Sequence, residues 1–308
     1  VTVGSSSQLA TIGDSAFLRS ILASFIVPAS VTQIGAKAFP NTLNSVTIES
    51  NSKLESLGDS AFYQSRITSF TIPASLTTMG DSVFSSCFRL TSVILPSSNK
   101  LTKIGVSVFQ SSAIKSFILT AGIKSLGDYA FADCKSLTAM TIEIGSKLTS
   151  VGKNALSGTS ITSFTIPASV ELLGDGAFRD NELLTSVIFS CATSLTIIPT
   201  DAFRSCYSLT TISLPANVVY VSSLLTRVDI AACCPPGEYS EPGSNTSPLT
   251  CTSCSTGKYL SSAGALDSSA CLGCPEGTYA DATGSEICTD CSAGKYSTTP
   301  EATAADTC

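Results

Sequence analysis

The chain has 308 residues, of which 43% are hydrophobic and only 13% charged, and its formal net charge is −6. It contains no His and no Trp, which removes the commonest general base, the commonest zinc ligand and the best sugar-stacking ring. Residues 1–230 hold 15 Lys+Arg and 14 Asp+Glu (+1) and residues 231–308 hold 2 and 9 (−7), so neither part attracts nucleic acid or an anionic membrane.

In chain order, the first recurring phrase is Ile12-Gly13-Asp14-Ser15-Ala16-Phe17. It returns at 57–62, 79–84, 126–131 and 173–178, with weaker copies at 34–39, 104–109, 151–156 and 198–203. The closing apolar residues are spaced by 22, 23, 22, 25, 22, 25, 22 and 25, so the duplicated unit reads as a pair of repeats. Between these phrases runs a second one, as in Ile67-Thr68-Ser69-Phe70-Thr71-Ile72-Pro73. Its L-x-x-L-x-L pattern is the leucine-rich-repeat strand signature. Alternation predicts Phe70 and Ile72 facing inward, Ser69 and Thr71 outward, and Pro ending the strand. Gly80 is expected to permit a sharp turn, and Asp81 to cap a short turn of helix carrying Val83 and Phe84. One repeat cannot bury its own apolar residues, whereas stacking nine makes a continuous core.

After Val218 the repeat decays, and residues 219–225 read as a terminal cap over the last open face. A different repeat then begins at Cys234-Pro-Pro-Gly-Glu-Tyr239 and returns at 254–259, 274–279 and 291–296. Nine of the 13 cysteines fall in the last 78 residues, which reads as a disulfide framework and an oxidising compartment. The predicted architecture is a β-rich solenoid, a right-handed leucine-rich-repeat stack with short parallel strands, followed by a disulfide-rich small-module tail. The expected domains are 1–230, about nine repeats plus a cap, and 231–308, a cysteine-rich extended tail of about four short units. No apolar run approaches the ~20 residues of a membrane span.

The paired phrases closely resemble the BspA-type leucine-rich repeats of bacterial and protist surface proteins, over about residues 8–217. Local departures are Leu156 for Phe, Pro199 for Gly, and Glu143 and Ser190 for the strand-ending Pro. The resemblance implies a secreted or surface-displayed protein used in adhesion and recognition, with no catalytic residues. The tail, over about residues 233–308, resembles ephrin-receptor-like and tumour-necrosis-factor-receptor-like modules, which implies an extracellular stalk. The simplest pairing is Cys234–Cys251, Cys254–Cys271, Cys274–Cys288 and Cys291–Cys308, with each Gly-x-Tyr tyrosine packed on its own module's disulfide; sequence leaves other connectivities open. The ligand-like spacing of Cys251/Cys254, Cys271/Cys274 and Cys288/Cys291 also admits zinc, against which stands the regularity of the whole tail.

Four smaller features remain. Cys87, Cys134 and Cys206 each follow a repeat Phe by three residues and read as small buried wall residues, with Cys191, Cys206 and Cys233 also placed for one bond tying the tail to the last repeats. Asp14, Asp59, Asp81, Asp128 and Asp175 suit turn capping better than a calcium ladder, which Ala36, Val106, Lys153 and Thr200 would interrupt. The outward strand positions Ser24, Ile26, Ser45, Thr47, Ser69, Thr71, Ser92, Ile94, Ser116, Ile118, Ser163, Thr165, Ser186 and Ile188 carry no charge. They are either an ordinary β surface or a flat contact face for a protein or a glycan. Asn245 lies in the N-glycosylation sequon of the polar tail.

No paired base, metal cluster or phosphate loop is present, so the sequence predicts neither an enzyme nor a cofactor. The expected function is that of an extracellular structural or adhesion protein. Its partners would be other proteins, copies of itself head to tail, or glycans, without nucleic acid and without a membrane span. The alternative is a receptor ectodomain with the tail as stalk.

Overall fold

The computed structural model describes residues 7–191, 193–215, 218, 229–240, 251–262, 265, 267–293, 295–298 and 300–305. The cap at 219–225, Asn245 and Cys308 lie outside the described residues. The fold is a parallel β-solenoid of about nine turns with almost no helix, and its disulfides gather in the C-terminal tail. Two compact units divide it: Val1–Phe164 with Ser169–Thr185 and Pro199–Leu209, and Thr165–Ala168 with Ser186–Ile198 and Thr210–Cys308.

In the first unit each coil carries a short strand whose alternating residues face in and out. Ser69 and Thr71 are exposed, while Phe70 and Ile72 are buried. Neighbouring strands run parallel and in register, with Ser24–Val27 on Ser45–Ile48, Ser69–Thr71 on Ser92–Ile94 and Ser116–Leu119 on Ala139–Ile142. A second parallel ladder comes from two-residue strands: Thr11–Ile12, Gln33–Ile34, Ser56–Leu57 and Thr78–Met79 form one run. Lys103–Ile104, Ser125–Leu126, Ser150–Val151 and Leu172–Leu173 form the next.

The core between the ladders is aromatic. Phe17, Phe39, Phe62, Phe84, Phe109 and Phe131 stack face to face, with centroids 4.9–5.6 Å apart. Phe25, Phe70 and Phe117 tilt against this column from the strand side. Coil stacking therefore replaces the hydrophobic face a single repeat would leave in water.

The third side departs from two expectations. No helical turn follows Asp81. Instead Ser60, Gln64, Ser82 and Ser86 all sit at φ 56°, in the left-handed region. Alternate N–H groups then point out of the coil. Those of Ser60, Phe62 and Gln64 donate to the carbonyls of Asp81, Val83 and Ser85 in the next coil, at 2.8, 3.0 and 3.0 Å. Those of Ala61, Tyr63 and Ser65 close back within the coil. A helix would aim every donor along the chain; this arrangement splits them between coil and neighbour.

The Asp side chain likewise serves the next coil rather than its own turn. Asp14, Asp59, Asp81 and Asp128 accept from the backbone N–H groups of Ala36, Asp81, Val106 and Lys153, at 2.7–2.9 Å. The preceding Gly is not needed for a left-handed turn. A Cβ on Gly58 would lie 2.5 Å from the Ala36 backbone nitrogen, so glycine is required because the previous coil passes so close.

In the second unit, Ser186–Phe189, Thr211–Pro215 and Asp229–Cys233 form a parallel ladder, and Cys191 is bonded to Cys233. The tail that follows is a series of two-stranded antiparallel pieces: Glu238–Ser240 with Cys251–Ser253, Lys258–Tyr259 with Leu272–Gly273, and Thr278–Tyr279 with Thr289–Asp290. Gly237, Gly257 and Gly277 turn each piece at φ 81–82°. Tyr239 packs on a small cluster of Cys254, Leu260 and Cys271, so this tyrosine covers the disulfide of the following module rather than its own.

Candidate functional site: an uncharged strand face

The parallel strands present one row of outward side chains per coil, fixed by the inward pull of Phe25, Phe70 and Phe117. In the first unit Ser24, Ile26, Ser45, Thr47, Ser69, Thr71, Ser92, Ile94, Ser116, Ile118 and Ser163 are all exposed. Ile26, Ile94 and Ile118 show 39%, 57% and 55% of their surface to solvent, values that set them apart from the buried seam. In the second unit Thr165 and Ile188 are exposed and Ser186 is half-buried. An isoleucine with about half its surface open to solvent, held on a rigid ladder among hydroxyls, is suited to burial by a partner.

The margins of this face explain the hydroxyl-rich composition. Thr91 and Thr138 each donate through Oγ1 to the carbonyl of Thr68 and Lys115 in the preceding coil. Thr32, Thr77 and Thr149 do the same beside the second ladder, reaching Ala10, Glu55 and Lys124. Two carboxylates stand where other coils have Pro. Glu49 accepts from the Ala29 N–H at 2.9 Å, and Glu143 from the Ala121 N–H at 3.0 Å and the Ser97 hydroxyl at 2.8 Å. These bonds, the Ala121 N–H first, hold the Glu143 carboxyl below the usual carboxylate range.

Nucleophile chemistry finds no support at the free thiols. Cys87 and Cys134 are buried and donate to the Phe62 and Phe109 carbonyls at 3.1 and 3.0 Å. Burial pushes both up to about 11, and Cys206 up to about 12, which keeps them as neutral thiols. Asn181 occupies the same position one repeat pair after Cys134. Its amide donates to the Leu156 carbonyl and accepts from the N–H and hydroxyl of Thr159. That buried Asn is a structural residue the sequence reading passed over, although its offset of three from Phe178 matches the cysteines.

Cys234, Cys254 and Cys274 are bonded to Cys251, Cys271 and Cys288, and Cys291 is also disulfide-bonded. None of these sulfurs is left as a thiolate for zinc. Among the described residues no group of three or more His, Cys, Asp or Glu is placed to hold a metal ion, and no helix is long and apolar enough to cross a membrane.

The fold defines a leucine-rich-repeat protein, a scaffold class whose members mediate protein–protein contacts. The family model for BspA type leucine rich repeat regions matches in six copies, over residues 10–138 and 102–225, and the chain belongs to that family. A model described as tyrosine-protein kinase ephrin type A/B receptor-like matches residues 266–308. Among curated proteins nothing matches. A leucine-rich repeat protein from Bacteroides ovatus is similar at 25% identity and a TM-score of 0.50, covering 75% of this chain and 79% of its own. A leucine rich cell surface protein from Faecalibacterium prausnitzii is similar at 22% identity and a TM-score of 0.41, covering 81% and 89%. The pneumococcal vaccine antigen PcpA is similar at 16% identity and a TM-score of 0.44, covering 75% and 88%.

Proposed function

We propose that this is a non-enzymatic extracellular protein, structural or adhesive, that acts by docking partners on its uncharged strand face. One observation carries the reading: outward isoleucines recur along a rigid ladder with no charge between them. Burying such a surface costs little desolvation, and a charged face would cost more. Disulfides in the tail fit an oxidising, cell-surface or secreted location.

The partner in this reading is a second copy of the chain, in a head-to-tail arrangement that need not close and so builds a surface filament or sheath. Sedimentation and electron microscopy at rising concentration test it. Ile94→Lys with Ile118→Lys is expected to abolish assembly, and a wild-type protein that stays strictly monomeric overturns it.

A receptor ectodomain with the tail as stalk is the second reading, favoured by the ephrin-receptor-like match in the tail. It predicts a monomer that binds a soluble protein ligand, and loses it in the same double variant.

A further inference from the structure

The corner after the strand is longer by two residues in every second coil. Short corners run Pro73-Ala74-Ser75-Leu76 and Thr120-Ala121-Gly122-Ile123, whereas long ones place five residues' separation between Glu49 and Leu54, Pro96 and Leu101, and Glu143 and Leu148. Long corners therefore stand as ridges over the short coils between them. Over the coil carrying Thr120 the ridges close. The Asn99 amide donates to Thr120 Oγ1 at 2.9 Å, and Ser97 donates to Glu143 Oε1 at 2.8 Å, spanning two coils.

Over the coil carrying Pro73 the same three closing groups are missing. The positions of Asn99, Thr120 and Glu143 are taken by Ser52, Pro73 and Pro96, so the amide of the first, the hydroxyl of the second and the carboxylate of the third are each missing. A cavity of about 490 Å³ opens between the corner at 49–52 and residues 71–75, lined by Ser52 and Pro73 but not by Pro96, and large enough for one or two sugar rings. Its lining includes the hydroxyl residues Thr47, Ser69, Thr71 and Ser75 together with Asn51 and Glu49.

The hydrogen-bonding state of these groups selects the ligand. Ser75 donates its proton to the Leu54 carbonyl at 2.7 Å, which leaves its oxygen as an acceptor. Ser52 accepts from the Leu54 N–H, which leaves its proton to donate. Glu49 uses Oε2 on Ala29 and keeps Oε1 as an acceptor. A mixture of close donors and acceptors matches ligand hydroxyls, each of which is both. No Lys or Arg lines the cavity, so phosphate, sulfate and uronate groups would meet Glu49 without a counter-charge. We propose that this cavity binds a neutral saccharide unit, a mono- or disaccharide free or displayed on a glycan. The cavity shares Thr47, Ser69 and Thr71 with the strand face proposed above, and Thr71 is the partner of Ile94 in the neighbouring strand.

The test transplants the closure found one repeat pair later. Ser52→Asn, Pro73→Thr and Pro96→Glu together reproduce Asn99, Thr120 and Glu143. Lactose, cellobiose, mannobiose and diacetylchitobiose are titrated against the full chain by calorimetry, and the same sugars are coupled to beads. At least one free or bead-bound sugar is expected to bind the wild type and to lose at least about tenfold in affinity in the triple variant, with an unchanged melting temperature. Thr71→Val, which deletes one hydroxyl and keeps the shape, should lose about threefold and serves if the triple variant does not fold. Binding of free disaccharide identifies soluble sugar, and retention on beads alone identifies displayed glycan. No binding in either arm, or undiminished binding in these variants, overturns the proposal. Partner docking is scored here with Ile118→Lys alone, two strands away from Thr71, so that loss of docking and loss of sugar binding are read separately.

Discussion

Phe62 lies flat against Phe84, with ring centroids 5.4 Å apart and planes 4° from parallel. Each ring is thus packed by its own coil and by both neighbours, so truncation removes contacts in three coils at once. Phe84→Ala should destabilise the protein by ~3–5 kcal/mol. Phe84→Leu should cost far less, because Leu156 fills the same place in the native column. Chemical denaturation of both variants checks the difference.

Glycine before the repeat Asp offers a matched pair. A Cβ on Gly58 meets the backbone of the preceding coil at 2.5 Å, whereas a Cβ on Gly13 meets nothing within 4 Å among the described residues. Gly58→Ala should therefore destabilise by at least ~1–3 kcal/mol, and Gly13→Ala should be neutral. Equal effects in melting experiments would remove close coil stacking as the reason for the glycine.

The buried thiols predict an alkaline limb. Cys87 and Cys134 have an ordinary value of 9.0 raised to about 11 by burial. The unfolded chain loses these protons first, so their contribution is complete below pH 9 and is lost as pH rises toward 11. The double variant Cys87→Ala, Cys134→Ala should show a shallower loss of stability over that interval. Native thiol labelling at pH 8 should be slow at both residues and fast after unfolding.

Glu143 gives the opposite limb. Its carboxyl is held below the ordinary 4.5 by the Ala121 N–H and the Ser97 hydroxyl. Stabilisation from these bonds is present above the unfolded value and is lost as pH falls through the folded one. Glu143→Gln should flatten the acid side of a melting-temperature profile as pH falls through and below the ordinary 4.5, and amide exchange at Ala121 should accelerate.

Reduction should act on the tail. Cys254–Cys271 closes a 17-residue separation, and Leu260 and Tyr239 pack on it in place of a large core. Opening it should cost ~3 kcal/mol. Hydrogen exchange in dithiothreitol should rise across 251–290 while the Phe column at 17–131 stays protected.

The sequence made the strand signature legible because a period of two, as at Ser69, Phe70, Thr71 and Ile72, is written in residue type. The Phe column was legible for the same reason, at a period near 23. The second ladder was not, since a strand of two residues such as Thr78–Met79 is too short to show any period. The glycine before the repeat Asp, as at Gly80, and Asp59 itself read as local turn chemistry because sequence shows a residue's chain neighbours and hides its stacked ones. For Gly58 and Asp59 the reasons lie 22 residues away, in Ala36 and Asp81. The cavity beside Ser69 was also hidden. It exists through a difference between coils, Ser52 against Asn99 and Pro73 against Thr120, and a search for likeness averages such differences out.

The ridge pattern has one more consequence. A short and a long coil together advance the chain by 47 residues, the interval that separates Cys87 from Cys134 and Lys53 from Lys100. Such a pair begins and ends on the same kind of edge. Gain or loss of a whole couplet therefore joins edges of the same length class, while the loss of a single coil would set two ridges side by side.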